Sequence, residues 1–337
     1  MSRDFDPPDV LRQGASPTGV GDQRSGALYV YSPKVKLAVR VALVTGRPLL
    51  VRGPPGWGKS SLARSVANYL KWRYLEEVVS SRTQARDLMS KLDLVRRLSD
   101  AQRRDEGVDP DWRRYIRPGV LWEAFAPSSA ARQRRFFDRA ETPADREGPA
   151  DTAPFKPAVV LLDEMDKADP DVPNNLLVAL GSLQFAVDEI VDKDKDVPLL
   201  VKAREQLEPL IIVTTNDERD LPRAFLRRCV EIALPALEKD DDQDGKQRIE
   251  LLVKIGVEHL KGLKDRLKHP LDETYVRGIA QIIAQAKGGE EGLVIPSPAE
   301  FIDTLRAVGE LYGSSAQEDE VKKIVAIAVR KRGVSGV

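Results

Sequence analysis

Five short apolar runs punctuate the first two thirds of the chain: Leu49 to Val51 in GRPLLVRG, Tyr74 to Val79, AVVLLDEMD, PLIIVTTND and CVEIALPAL. Runs this short, without polar alternation, suit strands covered on both faces, as in a parallel sheet. Between them the pattern turns helical. In KSSLARSVANYLKW, Leu62, Val66 and Leu70 recur every four residues along one face, and ALYVYSPKVKLAVRVALVTG predicts a helix docking ahead of the first strand. Strands alternating with helices predict an α/β fold, a parallel-sheet core with helices on both faces. From about residue 240 the strand signals stop. QRIELLVKIGVEHLKGLKDRL, DETYVRGIAQIIAQA, PAEFIDTLRAVGELY and DEVKKIVAIAVRK then predict a small α-helical domain, reached through the charged linker LEKDDDQDGKQ.

The expected organisation is a flexible tail over 1–26, rich in Pro, Gly, Asp and Ser, an α/β domain over 27–238 and the helical domain over 239–337. Lys59 and Asp163 stand 104 positions apart, whereas a βαβ unit needs only about 30 residues. Part of the excess is SSRTQARDLMSKLDLVRRLSDAQRRDEG, where Leu88, Leu92, Val95 and Leu98 predict one helical face. The rest is FAPSSAARQRRFFDRAETPADREGPADTAPFKP, whose Pro, Ala and charge predict a mobile insertion at about 126–157. Its RQRRFFDR core reads either as a nucleic-acid patch with aromatics or as a solvated charged helix, and the helix is preferred.

Composition narrows the functional classes. Lys plus Arg equals Asp plus Glu at 53 each, so no overall basic field recruits nucleic acid, and nucleic acid is not an expected partner. The single Cys229 permits no internal disulfide and fits a reducing compartment. MSRDFDPPDV lacks an apolar targeting core, and the most apolar stretch, LAVRVALVTGRPLLV, is broken by Arg40 and Arg47. The expectation is a cytoplasmic protein without a membrane span. With only His259 and His269 and no Cys pair, a zinc site of the usual spacing has no ligands; both histidines are expected to be solvated.

The candidate chemistry begins at Gly53. Gly53, Pro54, Pro55, Gly56, Trp57, Gly58, Lys59 and Ser60 fit G-x-x-x-x-G-K-[ST], with Ser61 following. Such a loop turns backbone N–H groups onto phosphate oxygens, which side chains at the three glycines would obstruct. Lys59 supplies a charge for the β- and γ-phosphates, and Ser60 a hydroxyl for Mg²⁺. An apolar strand before the motif and a helix after it complete the required context. AVVLLDEMDKAD places Asp163 and Glu164 at the carboxyl end of a second strand, where open α/β sheets bind ligands. Asp163 suits the metal, and Glu164 suits the attacking water. LIIVTTND ends a third strand with Asn216, a neutral polar group suited to the lytic water or the γ-phosphate.

These elements, in this order and followed by a helical domain, resemble the AAA+ P-loop ATPases, and within them the MoxR-type family of the helix-2-insert group. The resemblance covers roughly residues 27–332. It rests on YVYSPKVKLAVRVALVTGRPLLVRGPPGWGKSSLA, on LLDEMDKADPDVPNNLLVAL and on TTNDERDLPRAFLRRCV. It implies an ATPase using ATP and Mg²⁺, a helix-2 insert within 76–125 and a pre-sensor-1 hairpin at about 183–208. It also implies that Arg227 or Arg228 is an arginine finger reaching the neighbouring subunit of a homo-oligomeric, hexameric ring. The implied partner is a protein substrate or companion, such as one with a von Willebrand factor A domain, remodelled in chaperone fashion. PSPAEF departs from the family: Ala299 and Glu300 stand where a sensor-2 arginine is usual, with Arg306 about two turns on. Two other readings stay open, a restriction-type nucleic-acid motor and an ATP-gated scaffold with little turnover.

Overall fold

A computed structural model describes residues 4–12, 26–102, 111–138, 155–192, 197–235, 246–263, 267–269, 271–285 and 296–328. In chain order its elements begin with β1 (Val10–Arg12), β2 (Leu28–Val30), α1 (Pro33–Thr45), β3 (Leu49–Arg52), α2 (Lys59–Leu70) and β4 (Arg73–Val78). An inserted region follows: α3 (Ala85–Met89), β5 (Ser90–Leu92), α4 (Leu94–Gln102), β6 (Ile116–Pro118), α5 (Val120–Phe125) and α6 (Pro127–Phe137). Next come β7 (Ala158–Asp163), α7 (Asp171–Ser182), β8 (Gln184–Asp192), β9 (Val197–Lys202), β10 (Leu210–Thr215), α8 (Arg223–Leu226) and β11 (Val230–Ala233). The last four helices are α9 (Lys246–Leu263), α10 (Glu273–Gln285), α11 (Pro298–Leu311) and α12 (Glu318–Ala328).

Five of these strands form the parallel sheet, in the order β11-β3-β10-β7-β4. In β7 (AVVLLD) and β10 (LIIVTT) every residue is buried, which is why both strands read as unbroken apolar runs. Leu210 pairs with Val159 and Val213 with Leu162, so the carboxyl ends of β10 and β7 finish level. The chain leaves β3 for the far edge at β4, returns through β7 and β10, and ends at β11 on the opposite side. The strand order therefore reverses around β3, the arrangement that opens a ligand crevice at the carboxyl ends of such sheets.

The chain divides into two compact units: Met1–Asp4, Ala38–Val51 and Leu70–Glu231 make one, and Phe5–Leu37, Arg52–Tyr69 and Ile232–Val337 the other. In the first, the core runs from sheet residues such as Val160 and Leu162 to Trp122, Phe125 and Phe225. Its insertion does not form the expected continuous helical face. The helix stops at Met89, and β5 pairs antiparallel with β6, Ser90 opposite Pro118 and Leu92 opposite Ile116. Leu88 is fully buried, whereas Val95 and Leu98 on α4 are 79% and 63% exposed. Strand pairing takes residues 90–92 out of the helical period, so positions before and after it no longer share a face.

RQRRFFDR lies largely in α6, so the insertion expected to be mobile at about 126–157 is helical over Pro127–Phe137, and its residues 139–154 fall outside the described residues. Its rings are covered by the protein's own arginines: Arg113 sits 4.2 Å from the Phe136 centroid and Arg96 5.1 Å from that of Phe137. These aromatic faces are thus occupied within the fold, consistent with a charged helix. β8 and β9 pair antiparallel ahead of β10.

In the second unit, the expected tail contains structure. β1 pairs antiparallel with β2, and Phe5 is fully buried, edge-on to Tyr31 and Tyr69 at 5.7 and 5.3 Å. One aromatic anchor suffices to fix a segment whose average composition reads as disordered. Helices α9 to α12 pack around Leu252, Val276, Phe301, Leu305 and Val308. Among the described residues no helix is long and apolar enough to cross a membrane.

Candidate active site

β3 hands the chain directly to the glycine-rich loop, and α2 starts at Lys59. Gly53, Gly56 and Gly58 hold φ of 138°, 80° and 81°, a region that side chains disfavour. Two of them are also tightly enclosed. A Cβ on Gly53 would lie 2.3 Å from the carbonyl oxygen of Leu234, and one on Gly56 would lie 2.3 Å from the Ser297 hydroxyl. The latter contact comes from the start of α11, where Ala299 N–H donates to Gly56 O at 3.3 Å. Pro55 is exposed and Pro54 and Trp57 half-buried, while Ser60 and Ser61 follow in the first turn of α2. Lys59 is buried and donates to the carbonyls of Gly53 and Pro54 at 2.5 and 2.9 Å. The N-terminus of a twelve-residue helix, preceded by a loop open enough for backbone approach, is an anion-binding arrangement.

The carboxylates gather at the ends of β7 and β10. The buried Thr214 hydroxyl donates to the Asp163 carboxylate at 2.5 Å and accepts from Glu164 N–H at 2.9 Å. Glu164 has a left-handed backbone, φ 61° and ψ 47°. Its carboxylate accepts from Lys167 at 2.7 Å, and this hydrogen bond raises the Lys167 pKa above the usual range. Asp166, 2% exposed, accepts from the N–H groups of both Asn216 and Glu218 at 3.0 Å. Thr214 thus joins Asp163 to Glu164, while Asp166 separately holds the backbone of Asn216 and Glu218; neither Thr214 nor Asp166 stands out in the sequence. The available signal was DEMD, with its third carboxylate three positions after the first, and the Thr-Thr before Asn216.

Arg227 and Arg228 close the short helix α8 and are both exposed, between the buried Phe225 and Cys229. Neither makes an ion pair among the described residues. Burial pushes the Cys229 thiol up to about 12, so it stays protonated and unreactive.

A family model described as the ATPase family associated with various cellular activities (AAA) matches residues 49–236, more than half of the chain. The chain belongs to the AAA ATPase family. No curated protein matches it. Similar solved structures include a proline-to-glycine variant of RuvB from Thermotoga maritima, 14% identical, covering 90% of this chain and 73% of that one, with a TM-score of 0.47. RuvB of the same organism, named as a Holliday junction branch migration motor, is 14% identical over 87% of this chain and 67% of its own, with a TM-score of 0.40. A provisionally named ATPase from Cytophaga hutchinsonii is 14% identical over 88% and 79%, with a TM-score of 0.36.

Membership in the AAA family implies nucleotide binding, and the residues present fit the ligand. In one unit the glycines leave backbone rather than side chain at the loop, with the Ser60 hydroxyl beside it; in the other, Asp163 ends β7; each side chain is an oxygen donor of the kind a hard cation such as Mg²⁺ takes. Among the described residues no cluster of three or more His, Cys, Asp or Glu gathers as a metal cage. An ion held by one or two protein oxygens and the substrate's phosphates needs none.

At the start of α11 the AAA chain has a capping box instead of an arginine: Ser297 accepts from Glu300 N–H at 3.4 Å, and Glu300 accepts from Ser297 N–H at 2.8 Å. Arg306 has its Nε buried without a hydrogen-bond partner among the described residues and lies close enough to His259 to influence it. His259 is not solvated as expected. Burial first, then the charges of Arg306 and Arg12, lower its pKa to about 4, so it is neutral near pH 7.

Proposed function

We propose that this AAA protein is a MoxR-type ATPase that hydrolyses Mg-ATP in an oligomeric ring, most simply a hexamer, and uses the energy to remodel a protein partner. Lys59 takes the β- and γ-phosphates, Ser60 and Asp163 would hold Mg²⁺, Glu164 polarises the attacking water, and Asn216 orients it. Bound there, Mg²⁺ would supply positive charge to the phosphates beside that of Lys59. Arg227 or Arg228 contributes the further cation, acting on the γ-phosphate of the adjoining subunit. The observation that carries this reading is that pair of exposed guanidinium groups, free of ion pairs among the described residues and set between buried anchors. A guanidinium with no carboxylate of its own suits a developing phosphate charge. The β5–β6 insertion and the β8–β9 hairpin support the MoxR type.

Turnover of ATP and GTP, with and without DNA, measured against protein concentration alongside sedimentation, tests the proposal. ATP hydrolysis rising as rings assemble and indifferent to DNA is expected. Glu164→Gln should bind ATP, lose about 10²-fold or more in kcat, and trap the protein partner for pull-down. GTP preference or DNA stimulation would instead indicate a nucleic-acid motor, and binding without turnover a gated scaffold. Hydrolysis by a monomer would overturn the ring.

A further inference from the structure

Arg47 follows Gly46, whose φ of 66° ends α1 in the left-handed conformation. Its guanidinium crosses to residues 180 positions or more along the chain: Nη2 donates to Arg227 O at 2.5 Å and to Cys229 O at 2.9 Å, and Nε donates to Arg228 O at 3.1 Å. Next to it, Val230 N–H donates to Pro48 O at 2.8 Å. The turn before β3 is thereby laced to the segment that carries the two exposed arginines.

The acceptors are the carbonyls of the three residues that link α8 to β11, a segment outside both elements. α8 spans only Arg223–Leu226, too short to hold its own geometry by internal hydrogen bonds. Phe225 and Cys229 anchor it on the core side through apolar burial. The Arg227 and Arg228 side chains are themselves exposed, so the direction in which they leave the protein depends on the backbone beneath them. A planar fork with five donors can hold three successive carbonyls at once, which a single ammonium point charge does less well.

We propose that Arg47 is the positioning residue of the arginine finger: it gathers the carbonyls of Arg227, Arg228 and Cys229 and so sets how the finger projects from its subunit. Arg47 does not itself meet nucleotide. The inference rests on the finger reading above, and it predicts a defect felt at the neighbouring subunit's site.

The experiment compares full-length Arg47→Ala, Arg47→Lys and the double variant Arg227→Ala, Arg228→Ala, each assayed for ATP affinity, ring assembly, kcat and recovery on mixing with Glu164→Gln. Misplacing a reacting group by about 1 Å costs about 10²-fold, and that is the loss expected in kcat for Arg47→Ala. ATP affinity and assembly should be retained. Arg47→Lys should fall between Arg47→Ala and wild type. Mixing with Glu164→Gln, whose fingers are intact and whose sites are dead, should restore turnover at sites facing a good finger. Wild-type kcat in Arg47→Ala, or a loss that mixing does not recover, overturns the proposal. If Arg47→Ala does not fold, Arg47→Lys decides by the same mixing criterion: a recoverable loss supports the proposal and a wild-type rate overturns it. Full activity of the double variant would instead sink the finger reading itself. An inactive double variant beside a fully active Arg47→Ala would leave the finger standing and remove only Arg47.

Discussion

Replacing Thr214 by valine keeps the side-chain shape and deletes one hydroxyl. That hydroxyl is fully buried and makes two bonds, to the Asp163 carboxylate at 2.5 Å and from Glu164 N–H at 2.9 Å. A hydrogen bond to a charged group contributes about 1.5–3 kcal/mol and a neutral one about 0.5–1.5 kcal/mol, so Thr214→Val should cost about 2–4.5 kcal/mol. At about 2–4 °C per kcal/mol for a unit of this size, Tm should fall by roughly 4–18 °C. Activity should suffer separately. Glu164 sits at φ 61°, a conformation costing about 1–2 kcal/mol for a residue with a Cβ. Once its N–H is released, the backbone can relax and carry the carboxylate away from the attacking water, lowering kcat about 10- to 10²-fold. Thr214→Ser, which keeps the hydroxyl, should recover most of both losses. Thermal unfolding and phosphate release at saturating ATP measure the two effects. A Thr214→Val protein with wild-type Tm and wild-type kcat would refute the role given to this hydroxyl. Weakened ATP binding at unchanged kcat would refute its assignment to the hydrolytic step.

Gly56→Ala should lower stability by about 1–3 kcal/mol, combining left-handed strain with loss of the Ser297 cap, and weaken ATP binding, because its Cβ would lie 2.3 Å from the Ser297 hydroxyl. Titration with a fluorescent ATP analogue checks this, and unchanged affinity counts against the cradle. His259 contributes a pH dependence of definite sign. Its folded pKa of about 4 lies below the ordinary 6.5, so between these values the unfolded chain takes up a proton that the native one does not. The stability it supplies is complete above pH about 6.5 and is lost as pH falls toward 4, at up to about 1.4 kcal/mol per pH unit. His259→Gln should flatten the Tm-against-pH curve in that window, and an unaltered curve would contradict the half-buried, neutral histidine.

The legible parts of this protein are those with local causes. A loop that must present backbone to phosphate needs glycine at fixed offsets, and Gly53, Gly56 and Gly58 appear there with Lys59 and Ser60. Strands buried on both faces must be apolar throughout, and β3, β7 and β10 announce themselves. Asp163, Glu164 and Asn216 stand out because they end such strands. The remaining features depend on neighbours distant along the chain. Only the strand order β11-β3-β10-β7-β4 brings Thr214 beside Asp163, so nothing in VTTN distinguishes that threonine beforehand. The four- and three-residue steps from Leu88 to Leu98 are helical by pattern, yet pairing with β6 outweighs them at Ser90. Phe5 anchors a segment that reads as a tail, because its burial needs Tyr31 and Tyr69 from elsewhere in the sequence. Arg47 reads only as a charge interrupting an apolar stretch, and its three carbonyl partners lie about 180 residues away. Periodicity and motif spacing report what each segment needs for itself, whereas partners across the sheet are chosen by topology, which no local window contains.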